Sequence, residues 1–210
     1  MKIAVVGAAG MVGSRVVAEA AHRGHEPVAV YRTGRPAGLP PGVAAVRGDA
    51  NDRPRMTELF RGTDAVVAAT RAAAGREHTV AASTTALLDA GAASGVRVLV
   101  VGGAAPLWNP GEPGRLVLDS PEYVPGSIRA VAGASVAQLE VCHAHPADWV
   151  YLSPPALLEP GQRTGTYRRG TTTLVADAAG VSRISAEDLA VAILDELENA
   201  GSDRHFTIGY

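Results

Sequence analysis

The chain opens on alternating short apolar runs and longer amphipathic stretches. Lys2–Val6 is a compact β-rich run, and Met11–Arg23 carries Val12, Val16, Val17 and Ala20 at helical spacing. Gly24 ends that helix, and Pro27–Tyr31 reads as a second strand. Gly34–Gly42 is a Pro/Gly loop, Val43–Arg47 a third strand, and Arg53–Arg61 a short helix closed by Gly62. A fourth strand at Asp64–Ala69, a long helix at Glu77–Gly95 and a fifth strand at Arg97–Val101 complete the first half. This β-α alternation predicts an α/β fold: a doubly wound parallel sheet of Rossmann type, with helices on both faces.

The texture changes after Gly102. Ala105–Gly126 and Pro154–Gly170 are rich in proline and glycine and predict irregular excursions. Between and after them come a helix at Ser127–His145, a strand at Trp149–Leu152 and a short strand at Thr171–Ala176. Ser185 with Asp188 resembles a capping box for an amphipathic helix over Ala186–Asn199, and His205–Ile208 closes the chain as a strand. The expectation is one Rossmann domain over residues 1–210, with 103–126 and 154–184 as a small C-terminal substrate lid. Both segments follow strands, which puts them at the carboxyl edge of the sheet, where α/β proteins bind ligands.

Composition narrows the function. The 210 residues are 47% apolar and 19% charged with a formal charge of −2, so no global field draws the chain to nucleic acid or anionic membrane. No apolar run reaches the roughly 18 residues of a membrane span. Lys2, the apolar stretch to Gly13 and Ala18-Glu19-Ala20 imitate an export signal, but three glycines and continuing helical periodicity favour a first βα unit. The sole cysteine, Cys142, rules out an intrachain disulfide, and a reducing cytoplasmic setting is expected. Of 19 basic residues only Lys2 is lysine. Chemistry needing a lysine deep in the chain is therefore excluded.

The chemistry lies in Gly7-Ala8-Ala9-Gly10-Met11-Val12-Gly13, a glycine-rich turn between a strand and a helix. Gly7 permits the tight turn, Gly10 lets the backbone approach a pyrophosphate, and Gly13 lets helix and strand pack closely. The helix N-terminus, with Ala9, Met11 and Val12, presents N–H groups to the phosphates. An NAD site places an acid at the end of the second strand, whereas this strand runs into Arg32. An arginine there suits a 2′-phosphate, so NADP(H) is expected over NAD(H).

These residues resemble a family. Gly7–Gly13, Arg32 and Arg47–Asp52 are similar to the atypical short-chain dehydrogenases/reductases, in their NAD(P)H-binding, NmrA-like branch. Trp149–Tyr151, Ser153-Pro154-Pro155, Pro160-Gly161, Arg163-Thr164-Gly165 and Tyr167-Arg168 resemble its NADH-flavin reductase group, and Ile184-Ser185, Glu187-Asp188 and Phe206-Thr207 extend the match. The resemblance implies that Asp49 and Ala50 lie beside the adenine, and that Ala69 and Thr70 flank the ribose and nicotinamide. Gly102 and Gly103 border the same ring.

Typical members pair a tyrosine with a lysine four residues later as a proton relay. Here Tyr123 is followed at that spacing by Ser127, and Gly102-Gly103-Ala104 leaves the usual serine position unfilled. Reduction of a ketone needs an acid at the developing alkoxide, but a flavin or quinone ring delocalises the charge. The leading expectation is an NADPH-dependent reductase of a flat diffusible acceptor, with FMN or FAD among the substrates. Trp108, Ser153, Pro154, Arg163 and Tyr167 are the substrate-side candidates, and Arg163, Arg168 and Arg169 could receive an FMN phosphate. No catalytic acid is assigned. Alternatives are a non-catalytic NADP(H)-sensing regulator of the NmrA type and a tailoring reductase or isomerase of a specialised metabolite. The partner expected is a small molecule, the assembly a monomer or homodimer.

Two decoys are set aside. Cys142, His143 and His145 share a helix but do not face one way, so no metal site is expected. Gly133-Ala134-Ser135-Val136-Ala137 lacks the final glycine of a nucleophile elbow.

Overall fold

The computed structural model describes residues 1–210. Ten strands and five α-helices follow in chain order: β1 (Lys2–Val6), α1 (Met11–His22), β2 (Glu26–Tyr31), β3 (Ala44–Arg47), α2 (Arg53–Phe60), β4 (Ala65–Ala68), α3 (Val80–Ser94) and β5 (Val98–Val101). Then come α4 (Arg129–Ala144), β6 (Trp149–Ser153), β7 (Leu157–Glu159), β8 (Arg168–Gly170), β9 (Arg183–Ser185), α5 (Ala186–Glu198) and β10 (His205–Gly209).

Eight strands form one sheet in the order β3-β2-β1-β4-β5-β6-β10-β8, parallel except for β8, which runs antiparallel to β10. The chain winds outward from β1 in both directions. The break between β1 and β4 is the topological switch point of a Rossmann sheet, and the crevice above it is where such sheets bind ligands.

Strand alternation feeds two cores. Ile3 and Val5 of β1 face Val16 and Val17 of α1 and Leu189 and Ile193 of α5. Ala4 and Val6 face the other way, onto Met56 and Phe60 of α2, Leu87 and Leu88 of α3 and Leu139 of α4. Burial on both faces is why these strands read as unbroken apolar runs. A satellite core of Leu107, Val117, Val124 and Leu174 anchors the irregular stretch after β5.

Half of the expected capping box is formed: the Ser185 hydroxyl oxygen accepts from the Asp188 amide at 3.0 Å. The Ser185 amide instead donates to the Tyr210 hydroxyl, while the Asp188 carboxylate accepts from Thr164, Gly165 and Tyr210. The long third helix begins with one 3-10 turn at Glu77–Thr79, and Gly95 closes it at φ +67°. Two local expectations differ. Thr171–Ala176 is not a strand: Thr173 makes one isolated bridge to Trp108, and the paired residues are Arg168–Gly170, against Thr207–Gly209. The pair β7–β9, three residues each, lies inside sequence that reads as loop. No helix is long and apolar enough to cross a membrane.

Candidate functional site: a dinucleotide cleft and an adjoining apolar cavity

The glycine turn follows β1 at the switch point. The amides of Gly7 and Ala8 both donate to the Val30 carbonyl at 3.1 Å, tying the turn to the end of β2. Gly7 has φ +90°, and a methyl group there would collide with the Ala69 carbonyl oxygen at the end of β4. A methyl on Gly13 would collide with the Gly7 carbonyl oxygen. Glycine is thus required at both positions, one by backbone geometry and one by close packing. The amides of Ala9, Met11, Val12 and Gly13 find no backbone carbonyl, leaving four N–H groups at the start of α1. Those donors, with the positive end of the helix dipole, fit a pyrophosphate.

A cleft of about 660 Å³ runs from this turn across the ends of β2, β3 and β4. Arg32 lines it just beyond β2, and Arg71 and Arg76 line it beyond β4. None of the three has a carboxylate partner within 4 Å. The one acidic residue lining the cleft is Asp49, whose carboxylate accepts from the Asn51 amide and Asn51 Nδ2 at 2.9 Å. Those bonds hold its pKa below the usual carboxylate range, with a smaller contribution from Arg32. The Ser83 hydroxyl donates to Asn51 Oδ1 at 2.9 Å, fastening this loop to α3. The donors and cations fit the phosphates of a dinucleotide.

At Gly10, Ala69 and Thr70 the cleft opens into a second cavity of about 460 Å³. Its floor is Gly102 and Gly103, one wall is α4, and the outer walls come from Ala104, Tyr123, Pro154–Ala156 and Leu158. Sixteen of its 26 lining residues are hydrophobic, which fits it for a flat apolar ring. Behind the floor lies Tyr151, fully buried, its phenol donating to the Ser135 carbonyl at 3.0 Å and to Gln138 Oε1 at 3.2 Å. Burial pushes its pKa well up, so it keeps its proton. Gln138 is itself buried and donates through Nε2 to the Thr84 hydroxyl at 3.1 Å.

The sequence-derived candidates divide. Gly7, Ala9, Gly10, Arg32, Asp49, Ala50, Ala69 and Thr70 line the cleft. Met11, Val12, Gly102, Gly103 and Pro154 line the adjoining cavity, and Gly13 sits behind the turn against Gly7. Four substrate-side candidates lie elsewhere. Ser153 is fully buried with its hydroxyl 2.9 Å from His205 Nε2. The Arg163 guanidinium binds both carboxylate oxygens of Glu19 at 2.8 Å, and the Tyr167 phenol donates to Asp195 at 2.7 Å. Trp108 is exposed beside Thr173, outside the cavity lining. Nearby polar partners took Ser153, Arg163 and Tyr167.

Arg71, Arg76 and Gln138 were not singled out by sequence, and Ser135 entered only as the centre of the rejected nucleophile elbow. The signal for the arginines was their place just after a strand end; for the other two it was a polar pair at i, i+3 in an apolar helix. Of the decoys, Cys142 is buried with its thiol pushed up to about 12, His143 packs edge-on to Trp149, and His145 Nε2 sits 3.3 Å from Asp89.

A family model described as NAD(P)H-binding matches residues 7–200. The chain belongs to that NAD(P)H-binding family. It is 34% identical over 201 residues to the uncharacterised protein YwnB of Bacillus subtilis (strain 168), covering 95% of this chain and 93% of YwnB. Among solved structures it is similar to a Bacteroides thetaiotaomicron protein provisionally assigned as an epimerase, with 36% identity, TM-score 0.90 and coverage of 100% and 96%. A Streptococcus pneumoniae TIGR4 protein provisionally assigned as an NADH-flavin reductase gives 27% identity and TM-score 0.86, with coverage of 100% and 99%.

Proposed function

We propose that this chain is an NADPH-dependent reductase that delivers hydride to a flat ring acceptor, a flavin or a quinone. The observation that carries the reading is the direct opening of an arginine-lined dinucleotide cleft into a largely apolar cavity. Similarity to a protein provisionally assigned as an NADH-flavin reductase supports it.

When bound, NADPH supplies hydride from C4 of its nicotinamide. The free amides of Ala9 and Met11–Gly13 hold the pyrophosphate, and Arg32 takes the 2′-phosphate. Thr70 and the Gly102–Gly103 floor border the nicotinamide, and Asp49 and Ala50 the adenine. Segments 103–126 and 154–184 act as the lid, whose apolar walls keep water from the transfer. With no lysine beyond Lys2 and a buried Tyr151 that keeps its proton, the acceptor ring itself takes up the charge. Solvent protonates it afterwards. A reducing cytoplasm is the setting that suits the reaction.

NADPH oxidation measured with riboflavin, FMN, FAD, menadione and a benzoquinone tests this reading. Turnover with at least one acceptor is expected. Background rates across the whole panel overturn it, and tight NADPH binding alongside those background rates marks a cofactor-sensing protein instead.

A further inference from the structure

The charges around the second cavity select among flat acceptors. Only two of its 26 lining residues are charged, Arg71 and Glu77. Arg71 also lines the dinucleotide cleft, and under the proposed function it serves the cofactor's phosphates. Glu77 lines only the second cavity. Its carboxylate accepts from the Gly75 amide at 2.9 Å, and backbone N–H groups of Glu77 itself and Gly75 hold its pKa below the usual range. The carboxylate is ionised at neutral pH.

The three arginines that the sequence offered for an acceptor phosphate are committed elsewhere. Arg163 is bound to Glu19. Arg169 pairs with Glu196 at 2.9 Å while its guanidinium stacks 3.8 Å over the Phe206 ring. Arg168 donates to the carbonyls of Ala176 and Tyr210. None of the three lines the cavity.

The rest of the surface is apolar or neutral. At the rim Ile128 and Val131 are 44% and 38% exposed, an apolar lip where the chain enters α4. Deeper in, Gln138 has one N–H committed to Thr84, and its second amide proton has no partner in the chain. The Thr84 hydroxyl gives its own proton to the Val80 carbonyl and so accepts from the amide, which fixes Nε2 as the donor. One buried neutral donor in an apolar chamber matches a ring carbonyl.

We infer that the cavity beside the dinucleotide cleft takes an uncharged, unphosphorylated carbonyl-bearing ring, with Glu77 turning away phosphorylated flavins. The inference rests on the proposed function for where the cofactor lies, but it concerns binding and holds whether or not turnover occurs. Phosphorylation adds to such a ring a dianion that faces the Glu77 carboxylate, while Arg71, the one cation on the lining, is taken up by the cofactor's phosphates under the proposed function.

The test is equilibrium binding to the NADP⁺-loaded protein at low ionic strength, followed by flavin fluorescence for riboflavin and FMN, with menadione as a displacing ligand. Riboflavin is expected to bind about five- to tenfold more tightly than FMN, the scale of one like-charge contact near a surface. Menadione is expected to displace it. Glu77→Gln should tighten FMN binding and leave riboflavin unchanged, narrowing the ratio. Equal or tighter binding of FMN, an unchanged ratio in Glu77→Gln, or failure of both riboflavin and menadione to bind each overturns the inference. Failure of the reductase reading is read separately, from NADPH oxidation.

Discussion

The phenol of Tyr151 fills the space where a side chain at Gly102 would sit: a methyl group on Gly102 would overlap both the Tyr151 hydroxyl and the ring carbons next to it. The two residues belong to adjacent strands, with Gly102 just past β5 and Tyr151 in β6, where Val100 pairs with Tyr151. The missing side chain at the end of β5 and the buried tyrosine are therefore one packing solution. Gly102→Ala should destabilise the protein by about 1–3 kcal/mol, the usual cost of overpacking. Tyr151→Leu removes the overlapping hydroxyl and the ring tip that carries it, so the double variant should lose less than the sum of the single changes. Urea denaturation of the four proteins checks this, and strict additivity contradicts it.

Arg163 supports the fold rather than the acceptor. Glu19 is 5% exposed and accepts from Arg23 as well as Arg163, and these partners, Arg163 foremost, bring its pKa down to about 2 against the effect of burial. Removing one partner leaves a buried carboxylate less compensated. Arg163→Ala should lower the melting temperature by a few degrees, the shift that roughly 1 kcal/mol gives in a chain of this size. The KM for any acceptor should stay unchanged. A raised KM at unchanged stability would return Arg163 to the substrate.

His205 makes stability depend on acid. Burial lowers its pKa from 6.5 to about 4, with a smaller contribution from His143. The unfolded chain takes up a proton at this position below pH 6.5 while the folded chain does not. The contribution is therefore present above pH 6.5 and is lost as pH falls towards 4, amounting to about 2–3 kcal/mol. His205→Gln keeps a hydrogen-bonding group beside Ser153 without titrating. Unfolding free energies between pH 7 and pH 4 should fall less steeply in that variant than in the parent.

The first half of the fold was legible because each βα unit carries its own signals: an apolar run, a glycine stop, a helical period. Gly24, Gly62 and Gly95 all have positive φ at the ends of helices or the turns after them. The edge strand was not legible, because Arg168–Gly170 is a strand only through its partner Thr207–Gly209, nearly forty residues onward. The same limit governs the site. Gly7, Gly10 and Gly13 meet within seven residues, so sequence can display the turn. The fate of Arg163 is decided by Glu19, 144 residues away, and that of Ser153 by His205, 52 residues away. Residue type suggested what those side chains could bind; tertiary packing decided what they do bind.

The central claim is that the cleft holds a 2′-phosphorylated dinucleotide through Arg32, and calorimetric titration of NADPH and NADH into the protein and its Arg32→Ala variant tests it most directly. NADPH should bind the parent at least about tenfold more tightly than NADH, a difference of 1.4 kcal/mol. Arg32→Ala should weaken NADPH while leaving NADH nearly unchanged, closing the gap. Tighter binding of NADH by the parent, or a preference for NADPH that survives loss of Arg32, would contradict the claim.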